Sequence, residues 1–157
     1  MIVAFLDDVA VGDIIEPPKQ AHLTLKKKFK LLEHSEEDLI KVLQTNSLSF
    51  GSQQLILGND KAYEGPEFVV VEVINQSAWI KIHKKYLEIL QDITESRDEH
   101  FEGVNYYAHI SWKIRGEELF DPSLIHNTRH EINKVYLIER IDPIASRVRV
   151  VAELKLK

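Results

Sequence analysis

The chain has 157 residues, enough for one domain with a sizeable core, and its 44% hydrophobic and 29% charged composition excludes a disordered polypeptide. No apolar run reaches the ~20 residues of a membrane span, and the lack of cysteine excludes disulfides, thiolate metal centres and a cysteine nucleophile. A net charge of −5 argues against a surface that coats long duplex nucleic acid, but allows a small anionic ligand on a local basic patch.

In chain order, residues 2–6 read as a short buried strand followed by Asp7 and Asp8. The acidic start, where a secretory leader needs basic residues, predicts a cytoplasmic protein without a membrane contact. Residues 9–16 fit no single element, and Pro17-Pro18 end whatever forms there. Residues 21–29 alternate as a strand. Ser35-Glu36-Glu37-Asp38 is close to a capping box, and Leu39, Ile40, Val42 and Leu43 follow at helical spacing. Residues 47–57 read as extended segments bent at Gly51, with a turn at Gly58-Asn59-Asp60. Residues 67–74 form a Val-rich strand. Ser77 is the expected cap of a second helix running to about Asp92, with Trp79, Ile82, His83, Tyr86 and Leu90 near one face. Residues 94–103 read as a loop, 106–115 as a strand, Asp121-Pro122 as a turn, and 131–141 with 147–156 as a closing hairpin around Asp142-Pro143. Many strands with two helices and no regular alternation predict a single α+β domain over 1–157 with mostly antiparallel sheet.

Two segments share one chemistry: His22-Leu23-Thr24-Leu25 and His109-Ile110-Ser111-Trp112. Positions i and i+2 of a strand share a face, so each histidine points the same way as its hydroxyl residue. Ala108, Ile110, Trp112 and Ile114 make one apolar face, with Tyr107, His109, Ser111, Lys113 and Arg115 on the other. Likewise Ala21, Leu23 and Leu25 oppose His22, Thr24, Lys26 and Lys28. With 7 His and 13 Ser or Thr in the chain, a lone match is expected by chance in roughly every other such sequence. His126-Asn127-Thr128 is read as such a match. Strand context, the large apolar residue that follows and the separation of the two motifs set the other pair apart.

These paired strands resemble the 2H phosphoesterase superfamily, which includes 2′-5′ RNA ligase-like proteins and cyclic nucleotide phosphodiesterases. The order of elements around them is also similar over most of the chain. The resemblance implies a two-lobed α+β fold with mostly antiparallel sheets, pseudo-twofold symmetry and outer helices. It implies that His22 and His109 are the catalytic pair across a central groove, with Thr24 and Ser111 as phosphate binders. Family members usually carry a full helix before the first motif. Here only residues 7–21 are available and they include Pro17-Pro18, so a compact hairpin or loop is expected instead.

The chemistry suits the residues. Two imidazoles in opposite protonation states can open a 2′,3′-cyclic phosphate, one taking a proton from water and the other protonating the leaving ribose oxygen. Two hydroxyls can donate to the non-bridging oxygens. No cofactor or metal is needed for these steps, and which histidine is the base stays open. Tyr107, Lys26, Lys113 and Arg115 are further candidate substrate contacts. The bland readings are a packing role for Tyr107 and a solvated strand edge for the lysine run 26–30. His83 is expected to be a packed core histidine. His126 and His130 have the i, i+4 spacing of a metal pair, which needs a helix that their sequence does not favour, and Gly51, Gly58 and Gly65 make no nucleotide-binding glycine loop.

The expected function is therefore a metal-independent, monomeric phosphodiesterase acting on RNA 3′-ends or small nucleotides with cyclic or 2′-5′ links. The alternatives are a non-catalytic nucleotide or RNA-end binding module, the reverse 2′-5′ ligation, or a structural domain whose histidines are incidental.

Overall fold

The computed structural model describes residues 1–16, 19–63, 65–96, 102–141 and 147–157. Pro17-Pro18 and the Asp142-Pro143 turn lie outside them. The apolar run β1 (Ile2–Phe5) is buried along its whole length. It lies between β3 (His22–Lys26) and β11 (Lys134–Arg140) in a sheet ordered β2-β12-β11-β1-β3, with β2 at Ile14–Ile15 and β12 at Val148–Lys155. A second sheet is ordered β10-β5-β6-β8-β9: β10 (Arg129–Ile132), β5 (Gln53–Ala62), β6 (Phe68–Val73), β8 (His109–Ile114) and β9 (Glu117–Glu118). A ribbon of β4 (Phe29–Leu31) and β7 (Thr94–Ser96) completes the strands described, and every pairing among them is antiparallel. β3 and β8, the two motif strands, lie against each other where the sheets meet.

Helix α1 (Glu36–Ser47) starts as its sequence dictates: Ser35 Oγ accepts from Asp38 N–H at 3.1 Å and donates to the Asp38 carboxylate at 2.7 Å. Helix α2 (Gln76–Leu90) buries Trp79, Ile82, His83, Tyr86 and Leu90, the expected stripe. α1 packs on β12 and α2 on β3. The main core takes Leu23 and Leu25 from β3, Val71 and Val73 from β6, Ile110 from β8 and Leu39 and Leu43 from α1. A smaller cluster, including Val3, Phe5, Val9, Ile15, Tyr136 and Ile138, covers the other face of the first sheet. Val9 and Ile15 come from the segment before the first motif strand, where the described residues include the two-residue β2.

Several boundaries differ from the sequence expectation. The extended reading of 47–57 is wrong at its start, because α1 continues to Ser47 and β5 begins at Gln53. Gly58-Asn59-Asp60 is not a turn. β5 runs through it with one extra residue, since Leu57 pairs with Val73 and Asp60 with Val71. A Cβ at Gly58 would sit 2.7 Å from Ile74 Cδ1, so the end of that exposed side chain would have to move for any larger residue. Ser77 does not cap α2. The cap position is Asn75, whose side chain is spent on β5, accepting from Ile56 N–H at 3.1 Å and donating to Gln54 O at 2.6 Å. The expected 21–29 strand divides at Lys26, where β4 leaves to pair with β7, so the first three residues of the expected 94–103 loop are strand. The expected 131–141 strand is two strands in different sheets, β10 on β5 and β11 on β12.

Candidate functional site

β3 buries Leu23 and Leu25 in the main core, which leaves His22 and Thr24 on the opposite face beside their β1 partners Phe5 and Val3. β8 and the two residues before it bury Ala108 and Ile110 and turn Tyr107, His109 and Ser111 the other way. His22, Thr24, His109 and Ser111 line one groove of about 890 Å³, within the usual size of a small-ligand site. Tyr107 lines it too.

The two histidines are held in the same manner. His22 Nδ1 lies 2.9 Å from Gln20 O, and His109 Nδ1 lies 2.8 Å from Tyr107 O, each the carbonyl two residues upstream. A carbonyl can only accept, so Nδ1 carries the hydrogen in both rings, and in the neutral form the lone pair is on Nε2. Burial pushes His109 below the ordinary imidazole value, and the positive charges of Lys27 and His22 push the same way. The bond to Tyr107 O acts in the opposite sense.

Both motif strands also carry an irregularity at the same place. Thr24 pairs with Val3 but Lys26 with Ile2, so Leu25 has no partner residue on β1. Ser111 pairs with Val70 but Lys113 with Val69, so Trp112 has none on β6. One extra residue reverses the alternation beyond it. Lys27 and Ile114 line the groove, with Lys28 and Lys30 beyond the end of β3, and Lys26 and Lys113 do not.

Three of the candidate contacts are not among the residues that line the groove. Lys26 is 2% exposed, its ammonium bonded to the Glu102 carboxylate and to Ser96 Oγ at 3.0 Å, so it is a buried structural ion pair rather than a groove cation. Lys113 sits on the reversed part of β8 opposite Glu118. Arg115 is exposed in the β8–β9 turn, with φ of +52° followed by Gly116 at +81°. The apolar face expected of 108–114 is likewise broken, because Ile114 joins the groove. Tyr107 keeps its place, but its hydroxyl is engaged, donating to the Glu72 carboxylate at 3.0 Å with Lys61 at 3.4 Å. Its ring is what the groove sees.

Supporting residues escaped the sequence. Gln76 of α2 accepts from Ala108 N–H at 2.9 Å and donates to Ala108 O at 2.7 Å, fixing the residue between Tyr107 and His109. The 3-10 turn at Gly103–Asn105 leads into Tyr106, whose hydroxyl donates to Thr24 O at 2.9 Å. His83 donates through Nδ1 to Leu25 O and accepts from Gly103 N–H through Nε2. With the Lys26–Glu102 pair, these bonds tie the first motif strand to the segment that enters the second. Tyr63 of the β5–β6 hairpin lies over His109. The turn residues after it mark a hairpin, but nothing local says what that hairpin covers.

His126 follows a 3-10 turn (Pro122–Leu124) and bonds Asp60 at 2.8 Å, and His130 lies in β10 beside Thr128 Oγ1 at 2.8 Å. They share no helix, so the metal spacing has no geometric meaning. Among the described residues no group of three or more His, Asp or Glu could hold a metal ion, and no helix is long and apolar enough to cross a membrane.

No protein-family model matches the chain, and no curated protein matches it. Among solved structures, a crystal structure of a phosphoesterase superposes over 87% of this chain and 77% of its own, at a TM-score of 0.55 and 17% identity. The chain thus has an α+β fold, with two helices and mostly antiparallel sheets, similar to that of a phosphoesterase.

Proposed function

We propose that this chain is a phosphodiesterase of the 2H type, hydrolysing 2′,3′-cyclic phosphate or 2′-5′ phosphodiester links in RNA ends or small nucleotides. The observation that carries the reading is the matched pair: two His-x-[Ser/Thr] strands, each imidazole held through Nδ1 by the carbonyl two residues back, lining one groove. The phosphoesterase fold and the repeated irregularity after Thr24 and Ser111 favour it further, and that repetition is what two pseudo-symmetric lobes would produce.

In this mechanism one imidazole Nε2 takes a proton as water attacks phosphorus in line. A new P–O bond forms and the bond to the ribose oxygen breaks. The other imidazole, protonated on Nε2, gives its proton to that oxygen. Thr24 and Ser111 hydroxyls donate to the non-bridging oxygens, whose charge must be held through the transition state. The groove walls position the ester for attack.

The test is phosphorus NMR of the protein with 2′,3′-cyclic nucleotides and a 2′-5′ dinucleotide in EDTA. Turnover is expected, lowered by about 10²–10⁴-fold in His22→Ala and in His109→Ala. Thr24→Ala and Ser111→Ala are expected to lose about 10²-fold. Ligand shifts without turnover would replace this reading with that of a binding module, and turnover undiminished in either histidine variant would end the paired-histidine mechanism.

A further inference from the structure

Tyr63 closes the β5–β6 hairpin, its N–H donating to Phe68 O at 2.9 Å. Its ring stacks on His109 with centroids 5.0 Å apart at 28°, and on Tyr107 at 5.7 Å and 20°. Tyr107, just before β8, and His109 at its start both stack with the Tyr63 ring, so Tyr63 spans both. The imidazole is then held at Nδ1 by Tyr107 O and on its face by the Tyr63 ring. A ring laid on that face keeps water from it.

We propose that Tyr63 is a positioning residue: by stacking on His109 it fixes the plane of that imidazole and keeps it unprotonated, which makes His109 the proton acceptor of the pair and His22 the donor. The proposal rests on the phosphodiesterase reading and adds a division of roles to it.

The charges around His109 agree. His22 and Lys27 act on it from the first-sheet side, and both oppose an imidazolium. Glu72 is its partner on β6, but that carboxylate accepts from the Tyr107 hydroxyl and lies 3.5 Å from Lys61. The opposing influence is the negative face of an aromatic ring, which favours a cation. Burial is the largest influence on His109 and acts in the direction of the neutral form. The two effects predict opposite outcomes when the ring is removed.

The experiment is an NMR titration of the His109 imidazole in the intact chain, labelled at histidine and assigned with His109→Gln. Wild type, Tyr63→Phe, Tyr63→Leu and Tyr63→Ala are compared, with circular dichroism to verify folding. The midpoint is expected below 6.5 in wild type, retained in Tyr63→Phe, and raised toward 6.5 in Tyr63→Ala. Tyr63→Leu replaces Tyr63→Ala if the latter does not fold. An unchanged or lowered midpoint on removing the ring overturns the proposal. Turnover of a 2′,3′-cyclic nucleotide is followed in parallel. Loss of the ring should lower kcat about tenfold, with little change in KM, and move the acid limb of the pH profile upward, and Tyr63→Phe should restore both. A raised KM with kcat intact would make Tyr63 a substrate contact and overturn the positioning role. If wild type cleaves no phosphodiester, the functional reading and this division of roles fail together, while the titration still decides whether Tyr63 holds His109 neutral.

Discussion

His83 shows what burial does to an imidazole outside the proposed chemistry. Its Nδ1–H donates to Leu25 O at 2.7 Å, its Nε2 accepts from Gly103 N–H at 2.9 Å, and its ring lies 3.9 Å from that of Tyr106 at 7°. Only one neutral tautomer satisfies both bonds, because a hydrogen on Nε2 would face another donor. Burial lowers its pKa, with Lys26 and Lys84 in the same direction, against Leu25 O and Glu102. The unfolded chain therefore takes up the proton near pH 6.5 while the folded chain does not. The unfolded state binds more protons in that window, so stability is fully present above about pH 6.5 and falls as pH drops toward the folded value. Urea midpoints should decrease from pH 7.5 to 5.5, and His83→Gln should flatten the slope. His109 acts in the same sense, so part of the slope should survive. An identical slope in His83→Gln would sink the argument. The helical spacing of His83 made its burial legible in the sequence. Its acceptor bond was not, since Gly103 lies 20 residues away and is brought in by the fold.

At the scale of elements, strand alternation made the faces of His22, Thr24, His109 and Ser111 readable, because period two holds as long as the register does. It failed beyond Thr24 and Ser111, where Leu25 and Trp112 are extra residues in their ladders. The failure has a functional consequence. Lys27→Ala should raise KM for a cyclic nucleotide by about tenfold or more, the worth of one charge-assisted hydrogen bond. Lys113→Ala and Arg115→Ala should leave it within about twofold. Steady-state kinetics of the three variants check this, and a KM effect confined to Lys113 would show that the strand does not turn there. Lys26 shows the same dependence: four lysines among residues 26–30 read alike, and nothing local marks that Lys26 meets a buried carboxylate 76 residues away.

For the molecule as a whole, a single buried cluster joins β1 and β3 of the first sheet, β5, β6 and β8 of the second, and both helices. Nothing in it divides the sheets into separately buried units, so unfolding is expected to be one cooperative step. Trp79 is wholly buried in α2, and Trp112 packs at the edge of the same cluster in β8. Urea transitions followed by circular dichroism and by tryptophan fluorescence should coincide. In Trp79→Phe, where Trp112 alone reports, they should coincide again at a lower midpoint. Separate midpoints would mean two folding units and a groove that forms only when both are present.

Local sequence signals carry the α+β class, the start of α1, the buried stripe of α2, the buried strands and the shared face of each histidine with its hydroxyl. All of these are local: they follow from periods of 2 and 3.6 and from capping chemistry within a few residues. Long-range packing settled that β5 passes through Gly58, that Asn75 serves a strand instead of its helix, that Lys26 is buried, that Lys27 lines the groove while Lys113 does not, and that Tyr63 covers His109. Each depends on register or on a partner distant in the chain. Pairing across a sheet is set by the packing of whole faces, and no short window of sequence contains it.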